Sequence, residues 1–126
     1  WIFPIFISVF KKSKYCVYDN VKNKWLPEVQ VGTNAYAGNL GNGVSGFKLE
    51  NATYRVHDKK KGYWLPWVDG YNGYAGNLPN DIDAVQIKDR TYRVYDNKKK
   101  KWLPWVDSIN DYAGNIGNSI GGIQVK

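Results

Sequence analysis

The sequence repeats one unit of about forty residues three times. Each copy carries Tyr-x-Val-x-Asp, then Trp-Leu-Pro, then Tyr-Ala-Gly-Asn, and it closes with an apolar segment. The copies, called here the first, second and third units, occupy residues 15–53, 54–91 and 92–126. A repeat of this period predicts that the chain builds one small supersecondary structure three times.

Within each unit the side chains follow a β pattern. In the second unit, Tyr54 and Val56 alternate with polar or charged residues, which is typical of a half-buried strand. A polar turn at residues 58–62 predicts a hairpin, and Pro66 predicts that its returning strand is irregular or lies at an edge. Residues 74–77 predict a short strand or turn before the closing strand. No window has the apolar stripe of a helix.

Three units with three or four short strands each favour an all-β fold, and among such folds a β-trefoil. In a β-trefoil six strands close a barrel and three hairpins cap one end, so that no sheet edge is left open. A propeller usually has four or more blades, which leaves a β-prism or an open array of modules as alternatives. We expect residues 1–126 to form one β-trefoil-like domain with pseudo-repeats of about 38 residues. Residues 1–14 are then an N-terminal extension or the end of a preceding unit, and the chain is a mature form or a fragment.

Positions that are apolar in all three units predict the core. They are Val17, Val56, Val94, Leu26, Leu65, Leu103, Val29, Val68, Val106, Val44, Ile82, Ile120, Phe47, Val85, Ile123, Leu49, Ile87 and Val125. The recurrent Trp25, Trp64 and Trp102 are interpreted as structural anchors, because an indole has a large apolar surface. The recurrent Gly38, Gly76 and Gly114 predict a tight backbone turn.

Other recurrent positions carry a polar group that a core does not need. Carboxylates that could accept hydrogen bonds from ligand hydroxyls, or could cap the hairpin turn, are Asp19, Asp58 and Asp96. Rings that could stack on a sugar, or could close the bottom of a barrel, are Tyr36, Tyr74 and Tyr112. Amides that offer a donor and an acceptor, or could occupy a left-handed turn position, are Asn39, Asn77 and Asn115.

Two further tryptophans are expected to be exposed. Trp67 and Trp105 occupy a position where the first unit has Glu28, and an unpaired carboxylate is too costly to bury in a core. The neighbouring Asp69 and Asp107 add a hydrogen-bond acceptor beside each ring. We therefore predict a stacking platform for a ligand in the second and third units and a weaker site in the first.

The charge of the chain predicts an acidic partner. The net charge is +7, and nine of the 18 basic residues fall in the equivalent hairpin turns. These are Lys22, Lys24, Lys59, Lys60, Lys61, Lys98, Lys99, Lys100 and Lys101. An anionic polymer could bind such a set, although solvated turns are the simpler interpretation. Nucleic acid is not favoured, because the sequence has no helix-turn-helix, zinc-finger or RRM signature.

No catalytic constellation is visible. The single histidine, His57, stands where the other units have tyrosine, which indicates packing. Asp81 and Asp83 form a carboxylate pair, but in one unit only. A glycosidase that uses Asp58 and a second acid is an alternative, but a repeated scaffold favours binding sites that recur in two or three units. We expect no metal and no cofactor. Cys16 is interpreted as a small buried side chain, and the apolar run at residues 1–10 is too short to span a bilayer.

The order Tyr-x-Val-His/Tyr, Trp-x-x-Trp-Val-Asp, Ala-Gly and Ile-Asp-Ala-Val-Gln-Ile resembles the clostridial hydrophobic-tryptophan repeats. It is also similar to the C-terminal cell-wall-binding repeats of bacterial peptidoglycan hydrolases and phage endolysins. The units here are shorter, and they carry Trp-Leu-Pro and Tyr-Ala-Gly-Asn where those repeats have Gly-Trp and Ala-Gly-Thr. The resemblance implies a secreted or cell-surface module, without catalytic activity, attached to a larger hydrolase.

These observations lead to one expected function and one alternative. The expected function is a multivalent, lectin-like module that binds bacterial cell-wall or surface glycan through exposed aromatic, Asp and Asn side chains, assisted by lysines. The alternative is a protein-interaction domain, an inhibitor or an adhesin, that uses the same exposed loops.

Overall fold

Three antiparallel pairs of long strands form the framework of the chain. The computed structural model describes residues 13–107 and 110–126, which are all-β and contain no helix. The twelve strands are β1 (Lys14–Asp19), β2 (Lys24–Trp25), β3 (Val29–Gln30), β4 (Val44–Leu49), β5 (Thr53–Asp58), β6 (Tyr63–Trp64), β7 (Val68–Asp69), β8 (Ala75–Gly76), β9 (Ile82–Ile87), β10 (Tyr92–Asp96), β11 (Lys101–Trp102) and β12 (Ile120–Val125). The long pairs are β1 with β4, β5 with β9 and β10 with β12.

The long pairs share one register. The first tyrosine of each unit faces the last apolar residue of the closing strand, as Tyr54 faces Ile87. Each pair also changes register just before the aspartate that opens the hairpin turn, for example between His57 and Asp58. A bulge of this kind bends the strand and turns the aspartate toward the hairpin.

The return of each hairpin is interrupted where the sequence has proline. In the second unit β6 pairs with the end of β5, and β7 pairs with its beginning. Residues 65–67 lie between these strands, because Pro66 has no amide proton to donate to the ladder. The prediction of an irregular return strand at Pro66 is confirmed.

The predicted core positions are buried or lie against the core. The valines of the first strands and all predicted core positions of the closing strands are buried. The leucine of Trp-Leu-Pro and the valine three residues beyond it are half-buried and pack on this cluster. Strand β9 is buried along its whole length, although its alternation resembles a half-exposed strand. Its polar residues are covered because Asp83 contacts His57 and Gln86 contacts Arg55.

The Tyr-Ala-Gly-Asn segments connect different units. Ala37 of the first unit pairs with Ile123 of the third, Ala75 of the second with Phe47 of the first, and Ala113 of the third with Val85 of the second. The glycines that follow have φ values of +133°, +137° and +131° at Gly38, Gly76 and Gly114. A Cβ at each would collide with a backbone carbonyl of the neighbouring closing strand. Glycine is therefore required both by φ and by the close approach of two backbones.

A buried histidine–aspartate hydrogen bond distinguishes the second unit. Nδ1 of His57 lies 2.6 Å from Oδ1 of Asp83, and both side chains are buried. The matching positions hold Tyr18 with Ser45 in the first unit and Tyr95 with Gly121 in the third. The His57 ring also packs edge-on against Trp64 at 5.3 Å. His57 is thus a packed residue, as its place among tyrosines predicts.

The described residues form no helix long and apolar enough to cross a membrane. Residues 1–14, expected to be an N-terminal extension or the end of a preceding unit, fall mostly outside the described residues. Of this segment, Ser13 is buried and Lys14 begins β1.

The His57–Asp83 contact predicts a specific pattern of stability. His57→Tyr should lower the free energy of unfolding by about 1–3 kcal/mol, because the buried Asp83 loses a hydrogen-bond partner and keeps the amide of Gly117. His57→Tyr with Asp83→Ser reproduces the pair of the first unit and should recover most of this loss. Urea unfolding of the two variants measures the difference. A double variant no more stable than His57→Tyr alone would show that the unsatisfied Asp83 does not set this loss.

Candidate functional site

Two surface grooves occupy equivalent places in the first and third units. The first-unit groove, about 420 Å³, runs between Leu26-Pro27-Glu28-Val29 and Tyr36-Ala37-Gly38-Asn39. The third-unit groove, about 260 Å³, runs between Leu103-Pro104-Trp105-Val106 and residues 111–115. Each groove has an apolar surface from the proline segment and a tyrosine and an asparagine on the other side. In the first unit Glu28 interrupts the apolar surface, and Lys22 and Lys24 of the hairpin turn also line the groove. The mixture of apolar surface and polar groups suits a small ligand.

The three recurrent tyrosines are packed against a neighbouring ring and are exposed at the same time, and two of them, Tyr36 and Tyr112, line the grooves. Tyr36, Tyr74 and Tyr112 are 38%, 42% and 39% exposed. Each packs edge-on against a tryptophan of another unit: Tyr36 on Trp102 at 5.2 Å, Tyr74 on Trp25 at 5.4 Å and Tyr112 on Trp64 at 5.5 Å. A ring that is held by a neighbour and open to solvent is positioned to stack on a sugar at low entropic cost. Both interpretations of these tyrosines, ligand contact and packing, are therefore compatible with their geometry.

Trp67 and Trp105 contact cations. Trp67 is 36% exposed and Trp105 is half-buried, so the prediction that both are partly exposed is confirmed. The ring of Trp67 lies 4.6 Å from the guanidinium of Arg55, which is also 4.8 Å from Trp64. Lys88 lies 4.8 Å from the ring of Trp67. The two tryptophans of the second unit and these cations thus form a cation–π stack.

The third unit has the same stack. Arg93 lies 4.5 Å from Trp105 and 4.9 Å from Trp102, and Lys126 lies 4.6 Å from Trp105. Arg55 and Arg93 are held in place because their Nε atoms donate to Gln86 and Gln124 at 2.8 Å. These arginines are not among the site residues that the sequence predicts. The available signal was that arginine appears only in the two units that carry the second tryptophan, whereas the first unit has Cys16.

The first unit replaces this stack with a neutralised cluster. Glu28 accepts a hydrogen bond from the Tyr71 hydroxyl at 2.7 Å and lies 3.3 Å from Nζ of Lys14. The hydrogen bond from Tyr71 and the contact with Lys14 lower the pKa of the Glu28 carboxyl. Lys48 lies over the Tyr71 ring at 4.4 Å, and the Cys16 thiol is buried beside the same hydroxyl. The carboxylate of Glu28 is therefore exposed, as the sequence comparison of the three units predicts. The structure adds that it is paired with Tyr71 and Lys14.

The recurrent aspartates cap the hairpin turns. Asp19, Asp58 and Asp96 are only 1–2% exposed. Asp19 accepts from the amides of Val21 and Lys22 at 2.8 and 3.0 Å, and the other two carboxylates accept from the equivalent turns. Of the two sequence interpretations the structure supports turn capping. The prediction that these carboxylates contact a ligand is not supported by this geometry, because the carboxylates are buried and already accept hydrogen bonds from turn amides.

Asparagines complete the hydrogen bonding of these carboxylates. Asn42, Asn80 and Asn118 donate to Asp19, Asp58 and Asp96 at 2.9–3.1 Å. The predicted ligand amides, Asn39, Asn77 and Asn115, also donate to the same three carboxylates. Burial alone would raise the pKa of each carboxyl, but the asparagines and turn amides together lower it. Asn39 and Asn115 still line the two grooves.

The aspartates beside the exposed tryptophans lie outside the grooves. Asp69 is exposed and accepts from the Thr53 hydroxyl at 2.5 Å, next to a depression that Tyr71 and Glu50 also line. Asp107 is exposed at the end of the third-unit return segment. The structure does not place either carboxylate at the groove tyrosines.

The lysine-rich hairpin turns of all three units lie at one end of the molecule. We call residues 20–24, 59–62 and 97–101 the lysine turns, and all nine of their lysines are exposed. Asn20 of the first unit bonds to Asp81 of the second, and Ser119 of the third donates to the same carboxylate at 2.6 Å. Asn97 of the third accepts from the amide of Gly41 in the first at 3.0 Å. These contacts connect the bases of the three turns.

The described residues contain no group of His, Cys, Asp and Glu that could hold a metal ion. No protein family model, no curated protein and no solved structure matches the chain. The function is therefore proposed from the geometry and chemistry of the chain itself.

The capping carboxylates predict loss of stability in acid. Their pKa values are lower in the folded chain than in the unfolded one, so the stabilisation is complete above the unfolded pKa of about 3.9 and is lost as the pH falls through the folded values. Melting temperature measured from pH 7 to pH 2 should fall most steeply below about pH 4. The variant with Asp19→Asn, Asp58→Asn and Asp96→Asn should be less stable at pH 7 and flatter in acid. Asp69→Asn, at an exposed carboxylate, should retain the steep acid loss; an equally steep loss in the triple variant would contradict the assignment.

Proposed function

We propose that the chain is a non-catalytic, β-trefoil-like module that binds bacterial cell-wall or surface glycan at more than one site. The glycan lies in the first-unit and third-unit grooves, stacked on Tyr36 and Tyr112. The lysine turns add attraction for an anionic wall polymer. The observation that carries the proposal is the occurrence, at two equivalent places, of the same groove with an exposed tyrosine beside an apolar wall.

The β-trefoil-like arrangement is supported by the contacts between units. Each Ala-Gly pair joins the closing strand of another unit, and the first unit joins the third. The three tyrosine–tryptophan contacts run between units in the same order. An open array of modules would not bring the first and third units together. A closed arrangement also explains why the closing strands are buried, since a closed sheet has no free edge.

The groove walls suit a sugar ring. Sugars present CH groups on a face that packs on an aromatic ring, and hydroxyls at the edge that need donors and acceptors. Tyr36 and Tyr112 supply the ring, and Asn39 and Asn115 supply amides at the same grooves. Trp105 widens the apolar wall in the third unit, where the first unit has Glu28. Two weak sites on one rigid domain would act together on a repetitive polymer.

The cell wall is proposed as the location because of the resemblance to cell-wall-binding repeats. On this proposal the chain is a secreted or cell-surface module that holds a larger hydrolase on its polymer. Asp19, Asp58 and Asp96 are left out of the proposed site, since they are buried in the turns. Asn77, Asp69 and Asp107 have no role in the two grooves.

Binding to purified peptidoglycan tests the grooves. Tyr36→Ala with Tyr112→Ala should reduce retention of the chain in a pull-down about tenfold or more, because both sites lose their stacking ring and avidity is lost with them. Tyr63→Ala is the matched control, since Tyr63 is 55% exposed but lies on a hairpin away from the groove walls. Near-UV circular dichroism checks that the double variant keeps its fold, because each tyrosine also packs on a tryptophan. Retention equal to that of the Tyr63 variant would remove the grooves from the proposal.

The tryptophans provide a second arm of this experiment. Trp105→Ala should weaken binding, because this ring lines the third-unit groove, whereas Trp67→Ala should not, because its ring lines neither groove. Both variants should lower stability little, because exposed cation–π contacts contribute about 0.5–1 kcal/mol each. Trp64→Ala should instead lower stability strongly, since this ring packs on His57 and Tyr112. A glycan array competed with free sugar then separates a lectin from a protein-interaction domain. Binding that free sugar does not reduce would support the second class.

A further inference from the structure

The lysine turns present charges that the protein does not neutralise. Among the lysines and arginines of residues 13–107 and 110–126, Lys14 alone lies within 4.0 Å of a carboxylate oxygen. Acidic side chains near the turns are already engaged: the three capping aspartates bind turn amides, and Asp81 binds Asn20 and Ser119. Nine ammonium groups at one end of a small domain therefore repel one another and attract an external anion.

The turns hold these charges on a rigid frame. In each turn the aspartate carboxylate caps the amides, and the aspartate carbonyl accepts a bond from the residue four positions on, at 2.7–2.8 Å. That residue has a left-handed backbone in the first and third units, with φ of +56° at Asn23 and +58° at Lys100, and Gly62 has +79°. Asparagine and glycine accept this conformation readily, whereas lysine is strained in it. The third unit thus keeps a lysine where the fold favours another residue, which is typical of a functional site.

A depression lies between two of these turns. Asn20 of the first unit and Lys59, Lys60 and Asn80 of the second line an open space of about 390 Å³. Its floor includes Asp81, whose carboxylate is occupied by donors from the first and third units. The depression therefore places the base of the first turn next to the lysines of the second turn.

We propose that the lysine turns form a binding site for a flexible phosphodiester polymer without bases, such as a polyol phosphate chain. Lysine ammonium groups bind phosphate as point charges and impose no fixed planar geometry, which suits a mobile polymer. The three turns belong to three units, so several phosphates of one chain are bound at once. The proposal takes the cell wall as the source of the polymer from the proposed function, whereas the binding itself does not require the grooves.

Single-stranded nucleic acid is the alternative ligand for the lysine turns. Sites for single strands combine basic residues with aromatic rings on which bases stack. Two exposed rings lie beside the first and second turns: Tyr36 lines a groove with Lys22 and Lys24, and Tyr63 follows the second turn. In the third turn and the residue that follows it, four lysines are exposed and no aromatic ring is exposed. This turn therefore favours a polymer without bases.

Binding of a glycerol phosphate polymer, followed by fluorescence anisotropy at several salt concentrations, tests the site. The affinity should fall steeply with salt, and each lysine that contacts the polymer should add about 0.7 to the slope of log affinity against log salt. Lys98→Gln with Lys99→Gln should weaken binding roughly tenfold and reduce this slope. Lys88→Gln with Lys126→Gln removes the same number of charges beside the starts of β5 and β10, at the ends of these strands that are not joined to the lysine turns. This pair should leave binding nearly unchanged. Equal effects of the two pairs would overturn the site, because they would reflect net charge alone.

Lys100→Asn supplies an independent readout. It introduces the residue of the first unit at a left-handed position, so the urea midpoint should rise while affinity for the polymer falls about two- to threefold. A merely solvated lysine would give the rise without the fall, which would contradict the proposal. The Tyr112→Ala variant removes the ring of the third-unit groove, which has no lysine in its lining, and it should bind the free polymer as the wild type does, so failure of the grooves and failure of the lysine turns are distinguishable. Tighter binding of single-stranded DNA with a matched number of phosphates would assign the turns to nucleic acid instead.

Discussion

The structure depends on the docking of each Ala-Gly pair against the closing strand of another unit. At this contact two backbones approach so closely that a single Cβ would collide with a carbonyl, and glycine alone fits. The tyrosine before each pair then reaches the tryptophan of the same neighbouring unit. The grooves follow from this contact, because one wall of each is the docked segment and the other is the interrupted return strand. A unit on its own would have an open edge, and the docked wall of its groove would lack the contact that holds it.

The three units share a framework and differ in coordinated sets of side chains. Histidine with aspartate in the second unit replaces tyrosine with serine or glycine in the others. Arginine accompanies the second tryptophan in two units, whereas cysteine accompanies Glu28 in the first. The members of each set contact one another, directly or, for Cys16 and Glu28, through the Tyr71 hydroxyl. Differences between repeats within one chain thus identify contacting residues without any related sequence.

The sequence predicts most of the framework and less of the site. Strands, hairpins, the interruption at Pro66 and the buried closing strands follow from alternation, turn residues and recurrence of apolar positions. The sequence does not distinguish a capping role of Asp58 from a ligand-binding role, because both roles place an aspartate in a turn. The burial of its side chain in the structure favours capping. The cation–π stack of Arg55 and the groove beside Tyr36 each combine side chains from separate strands and loops of one unit, so the alternation within a single strand does not encode them.

Amide hydrogen exchange tests the docking between units most directly. The amides of Ala37, Val85, Ala113 and Ile123 donate across units at 2.9 Å, whereas those of β5 and β9 donate within one unit. If docking between units maintains the fold, the cross-unit amides should exchange only with global unfolding, at the same free energy as the most protected amides of β5 and β9. Fast exchange of the cross-unit amides, with protection kept inside each unit, would instead describe three independent modules and contradict this account.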